Sequence, residues 1–132
     1  MSLTPPEPRV LGPLSRTDFV RYQGASGDMN PVHHDEAFAL AAGFPAPLAV
    51  GMYTAGALTA WATDWLGPDQ VRGTRIRWQK PCFPGTQLTL DGTVSREYTA
   101  EDGTPMLDLE LTAVDQDGDV AVQAWMRFVR PA

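Results

Sequence analysis

The sequence predicts an α+β fold in which one antiparallel sheet covers one long helix. Three observations lead there. The stretch Leu48 to Leu66 is apolar on every face and carries no charge before Asp64, as befits a helix enclosed by its surroundings. From Val71 onward the chain alternates apolar and polar residues at the strand period. Turn signals at Pro84-Gly85, Glu101-Asp102-Gly103 and Asp115–Asp119 punctuate that alternation. Sheet and helix bury their apolar faces against each other in two layers. One sheet leaves part of such a helix bare, so a second copy is expected to cover the remainder.

With 132 residues, 43% of them hydrophobic, the chain is expected to form one domain with a real core. The net charge of -6, with no basic stripe, argues against a nucleic-acid partner. The apolar stretch holds two glycines and an Asp and lacks a flanking positive cluster, so burial in a soluble fold is preferred over a membrane span. Cys82 is the single cysteine. It excludes an internal disulfide and a cysteine-based zinc site, and it suits a reduced, cytoplasmic setting. Residues 1–8 are proline-rich and polar, lack the apolar core of a signal peptide, and read as a loose arm.

The N-terminal half is read in order. Arg9 to Leu14 is a short strand interrupted by Pro13. Thr17-Asp18 starts a helix that runs to Ser26, with Phe19, Tyr22 and Ser26 on one face. Gly27 suits the left-handed position that ends it. Asn30-Pro31 makes a turn or a single helical turn. Asp35 caps a helix over 36–42, which Gly43 ends as Phe44 folds back over it. The long helix begins near Leu48 and stops at Gly67-Pro68. Four strands follow: Val71 to Lys80, Gln87 to Tyr98, Pro105 to Val114 and Val120 to Arg130. Arg75 and Arg77 are assigned to one face of the first, Ile76 and Trp78 to the other.

The chemistry concentrates between Tyr22 and Asp35, Y-Q-G-A-S-G-D-M-N-P-V-H-H-D. Asp28 and His33 flank Asn30-Pro31, and a turn there lets a carboxylate and an imidazole converge on one water molecule. The competing reading has Asp28 cap a turn and His33 pack beside it. His34, as the adjacent residue, should diverge from His33. A metal site is disfavoured for want of a third strong ligand at suitable spacing. Gly51 stands at the start of the long helix, where backbone N–H groups lack partners and the dipole favours negative charge. It suits either an oxyanion hole or close helix packing. Arg75, Arg77 and Lys80 could meet coenzyme A phosphates or form a solvated face. Tyr53, Trp61, Trp65, Trp78 and Trp125 could line an acyl tunnel, with core positions the plainer reading. Cys82 reads as a small buried residue rather than a nucleophile.

These residues resemble a known family. The run from Tyr22 to Asp35, with its G-D-x-N-P-x-H core, is similar to the hydratase-2 signature of MaoC-like (R)-specific enoyl-CoA hydratases. The following A-G-F-P-A-P-L-A-V-G-M resembles that family's entry into its central helix. The resemblance implies a hot-dog fold, a long helix wrapped by an antiparallel sheet, and a homodimer. It implies hydration of a trans-2-enoyl thioester of coenzyme A or acyl carrier protein, or the reverse dehydration, with no metal or redox cofactor. Asp28 and His33 match the catalytic dyad, and Gly51 the glycine whose N–H binds the thioester carbonyl. Asn30 is grouped with Gly51 on the substrate side, as support for the dyad loop.

One departure stands out. The family often has His before that glycine, where this chain has Val50. The V-H-H-D run and T-D-W-L-G-P also resemble small subunits of steroid side-chain enoyl-CoA hydratases, which work with a second, non-identical hot-dog partner. A heteromer with a binding or tunnel-completing role is therefore the alternative. A hot-dog thioesterase ranks lower, because the first four turns of the long helix hold no carboxylate.

Overall fold

The computed structural model describes residues 3–132. In chain order the elements are β1 (Arg9–Leu11), α1 (Arg16–Ser26), a 3-10 turn (Pro31–His33), α2 (Glu36–Ala41), α3 (Gly51–Leu66), a second 3-10 turn (Pro68–Gln70), β2 (Val71–Trp78), β3 (Leu88–Thr99), β4 (Pro105–Val114) and β5 (Val120–Val129). The strands form one sheet in the order β1-β3-β4-β5-β2. Every neighbouring pair is antiparallel. The sheet packs on α3 in the hot-dog arrangement.

Alternation decides which side faces the helix. Leu88 and Leu90 of β3, Leu107, Leu109, Leu111 and Ala113 of β4, and Val122, Ala124, Met126 and Phe128 of β5 are all buried. They meet Leu58, Trp61, Ala62 and Leu66 of α3 in one cluster. Each fully buried large aliphatic here contributes roughly 1.5–3 kcal/mol. Trp61 occupies the centre, its indole N–H donating to the Glu7 carbonyl at 3.0 Å. The expected arm is thus irregular over residues 3–8 but held at Glu7, and Leu3 packs on the core. Met1 and Ser2 lie outside the described residues. Among the described residues no helix is long and apolar enough to cross a membrane.

Four local expectations need correction. The cap of α1 is Ser15, not Thr17: Ser15 and Asp18 satisfy each other's backbone N–H in a capping box. Its buried residues are Phe19 and Gln23, while Ser26 is exposed. The long helix starts at Gly51, because Leu48–Val50 is extended and bonded elsewhere: Leu48 N–H to Val32 O at 3.2 Å, Ala49 N–H to Cys82 O at 2.8 Å. Trp78 is 47% exposed rather than core.

The strand order also departs from a simple run of hairpins. β3, β4 and β5 form a meander, but β2 lies beside β5 at the far edge. Pro81 and Pro84 have no N–H to continue a ladder. Gln79 and Lys80 both donate to Ala121 O, and the chain then leaves the sheet. Gly85 N–H bonds Leu14 O and Leu14 N–H bonds Thr86 O, which ties this crossing to the segment after β1.

Helix ends follow their residues. Gly27 (φ 79°) and Gly43 (φ 92°) take the left-handed conformation just past α1 and α2. Phe44 N–H to Ala39 O and Gly43 N–H to Leu40 O complete the fold-back expected at Gly43. Asp35 caps α2 by accepting from Phe38 N–H at 3.1 Å.

Candidate active site

The loop between α1 and α2 is built on its own side chains. Ser26 Oγ accepts from Asp28 N–H, Asp28 Oδ1 from Asn30 N–H, and Asn30 Oδ1 from Val32 N–H. Each bond spans two residues, the local pattern that competes with helix and forces a turn. The Asn30 side chain therefore caps the 3-10 turn. It is not among the residues that wall the cavity beside Gly51.

Gln23 holds this loop from below. It is 1% exposed. Its Nε2 donates to Asp28 O at 2.8 Å and to Asn30 O at 3.0 Å. Two carbonyl partners fix the amide's orientation, leaving Oε1 to accept from His34 Nδ1 at 2.9 Å. That bond turns His34 away from His33, as expected of adjacent residues. Sequence reasoning passed over Gln23. Its one signal was a polar side chain four residues after Phe19, on the helix face that goes inward.

His33 is buried, at 9% exposure. Its Nδ1 lies 2.8 Å from Leu48 O. A carbonyl only accepts, so Nδ1 carries the proton and Nε2 of the neutral ring presents a lone pair. Nε2 sits 3.9 Å from Asp28 Oδ2, whose side chain is 47% exposed. This is too long for a direct hydrogen bond. Two acceptors at that separation suit an oxygen that donates a proton to each.

Gly51 faces the same space. A cavity of about 370 Å³ is walled by His33, Phe44, Leu48, Gly51, Trp78 and Cys82, among others. Asp28 stands at its rim, outside the wall. The extended segment Leu48–Val50 joins the two halves, since Leu48 takes the His33 proton donor and Gly51 begins three residues later. Val50 is the cap of α3 and makes no side-chain cap bond, unlike Ser15 and Asp35. The first-turn N–H groups of α3 thus meet no capping side chain, and the helix dipole adds positive potential there.

The other candidates separate. Lys80 reaches the cavity wall, but its Nζ is held by Asp115 at 2.6 Å and Asp119 at 2.8 Å. Hydrogen bonds to these carboxylates raise the lysine's pKa, and the bond from Lys80 depresses that of Asp115. Arg75 instead stacks on Trp125, 4.3 Å from its ring centre, so the three cations do not act as one patch. Among the described residues Asp115, Asp117 and Asp119 form the one group of carboxylates close enough to share an ion, and the Lys80 ammonium already lies among them. Burial pushes the Cys82 thiol up to about 11, which keeps it protonated. Of the proposed tunnel aromatics only Trp78 reaches the cavity. Trp61 packs edge-on to Trp65, and Tyr53 to Tyr22.

The chain is similar to known proteins in sequence and in fold. Enoyl-CoA hydratase ChsH3 of Mycobacterium tuberculosis is 34% identical over 89 residues, 65% of this chain and 31% of that protein. 3-Hydroxyacyl-thioester dehydratase X of the same organism is 36% identical over 76 residues, 58% of this chain and 26% of that protein. The chain thus matches about a third or less of the length of these relatives. Among solved structures, the (R)-hydratase from A. caviae involved in PHA biosynthesis superposes with a TM-score of 0.80 at 26% identity, covering 98% of both chains. The ChsH1-ChsH2 complex of M. tuberculosis has the same fold, with a TM-score of 0.80 at 22% identity over 95% of this chain and 94% of that one. Residues 3–107 match the MaoC like domain, and the chain belongs to that family.

Proposed function

We propose that this protein is an (R)-specific enoyl-thioester hydratase, a hydro-lyase that adds water across a trans-2-enoyl thioester and catalyses the reverse dehydration. One observation carries the reading: His33, its tautomer fixed by Leu48 O, presents Nε2 toward Asp28 at 3.9 Å, in a cavity that also holds the uncapped start of α3. The relatives named as an enoyl-CoA hydratase and a hydroxyacyl-thioester dehydratase support it.

The steps follow from the groups present. A water between Asp28 and His33 donates one proton to each acceptor. Its oxygen attacks the β-carbon as the dyad takes one of those protons. The carbon–carbon π electrons move toward the thioester carbonyl, and the Gly51 N–H stabilises the resulting enolate oxygen. The dyad then returns the proton to the α-carbon, so hydroxyl and hydrogen add and the enzyme ends unchanged. The reaction balances without a metal or redox cofactor. Because one pair of groups supplies both additions, they occur on one face. Val50, in place of the family's frequent His, offers no side-chain acceptor to the first-turn amides of α3.

The substrate is a thioester of coenzyme A or acyl carrier protein, and the working form is a homodimer. A heteromer with a second hot-dog subunit is the alternative. It is favoured by the half-exposed Asp28 at an open rim, which a partner surface would enclose. The thioesterase reading is weakened further, because the acid on α3 is Asp64, in the last turn and paired with Arg9 at 2.9 Å. The test is hydration by the purified chain alone across short, long and steroid enoyl-CoAs, with chiral analysis of the product. (R)-3-hydroxyacyl-CoA from the chain alone is expected. Activity that appears only with a second hot-dog subunit selects the alternative, and an (S) product contradicts the site.

A further inference from the structure

We propose that Trp78 is the positioning residue that fixes the Gly51 peptide at the cavity, and that its indole crowds any side chain placed at residue 51. The proposal rests on the reading of Gly51 as the oxyanion donor. Trp78 ends β2, an edge strand, and pairs across the sheet with Val122. Its side chain does not serve the core, since it is 47% exposed. What it does touch is Gly51. The indole Nε1–H donates to Gly51 O at 2.9 Å.

The same ring fills the space where a side chain at residue 51 would begin. A Cβ built there lies 3.0 Å from Trp78 Nε1 and 3.3 Å from Cε2. The indole thus supplies a packing reason for the glycine. Thr54 Oγ1 donates to the same carbonyl at 3.0 Å. Two side-chain donors, one from the sheet edge and one from the helix, therefore hold Gly51 O. Gly51 N–H is joined to that carbonyl through the glycine Cα, a link without the steric limits that a side chain imposes. Pinning the carbonyl limits rotation about that link and keeps the N–H aimed at one place. A preorganised donor lowers a barrier because it need not reorient as charge develops.

Kinetics and amide NMR of the full chain test this together. Trp78→Phe keeps an aromatic wall and removes the N–H. It is expected to lower kcat on crotonyl-CoA about tenfold, as for a displaced donor, with KM within about twofold and the melting temperature unchanged. A purely structural role would instead lower the melting temperature and leave the kcat of the folded enzyme alone. In the wild type the Trp78 indole N–H should exchange slowly for an exposed ring, and Trp78→Phe should shift the Gly51 amide resonance. Wild-type kcat in Trp78→Phe overturns the proposal, and so does an unmoved Gly51 resonance. If the wild type hydrates no enoyl thioester, the function reading fails, while the NMR result still decides whether Trp78 positions Gly51. Should Trp78→Phe not fold, Gly51→Ala gives the converse test. Its added Cβ must displace the indole and speed indole exchange, and unchanged exchange contradicts the proposal.

Discussion

Gln23 shows how much of the site rests on one buried amide. It bonds the backbone carbonyls of Asp28 and Asn30 and the ring of His34. Gln23→Leu keeps the bulk but leaves those carbonyls without their donor, at a cost of about 2–4 kcal/mol. Denaturant unfolding should show that loss, and hydration by the folded fraction should fall as well, because Asp28 loses its anchor. Full activity in a destabilised variant would separate the loop's stability from its chemistry. At this scale the sequence was partly legible. The approach of Asp28 to His33 was legible because Asn30-Pro31 makes a turn between them, with a turn cap as the competing reading. Gln23 did not, because a glutamine between Tyr22 and Gly24 looks like solvated helix until its partners are seen. Trp78 stayed open between tunnel wall and core because strand alternation cannot tell an edge strand's bare end from a covered one.

The elements are held by contacts that admit few substitutions. Gly92 of β3 lies under Trp61, and a Cβ there would collide with Leu111 Cδ2 and come within 2.9 Å of the Trp61 ring. Gly92→Ala should therefore cost about 1–3 kcal/mol by overpacking, read as a lower denaturation midpoint with an unchanged slope. Lys80 joins the crossing after β2 to the β4–β5 turn through Asp115 and Asp119. The Asp115 carboxyl is depressed in the folded state, chiefly by the Lys80 hydrogen bond. Its contribution is therefore present above the ordinary aspartate range and lost as pH falls through the depressed value. The melting temperature of wild type over Asp115→Asn should show an advantage near pH 6 that shrinks toward about pH 3. An advantage that grows with acid contradicts the assignment. The element types were legible from their periods. The start of α3 and the crossing of β2 were not, since both depend on backbone bonds to distant residues: Val32, Cys82 and Ala121.

At the scale of the whole molecule, one sheet and one helix enclose a core but leave surface uncovered. Met52, in the first turn of α3, is 52% exposed beside Gly51, and the outer edge of β2 has no strand partner among the described residues. Light scattering on the purified chain should give twice the monomer mass. A monomer that nonetheless hydrates enoyl-CoA would show that one chain completes the site. The sheet-on-helix architecture was legible in the residues alone, because an all-round apolar helix followed by alternating strands has few compact solutions. Bringing His33, with Asp28 3.9 Å from its ring, to the cavity that Gly51 lines needed the extended Leu48–Val50 segment, which sequence periodicity had absorbed into the helix. The most direct test of that joined site is hydration of crotonyl-CoA by wild type, Asp28→Asn and His33→Ala, each checked for its fold by circular dichroism. Both variants should lose activity by about a thousandfold or more while keeping the wild-type spectrum, since each removes one of two groups acting on the same water. Wild-type rates in both folded variants would contradict the account.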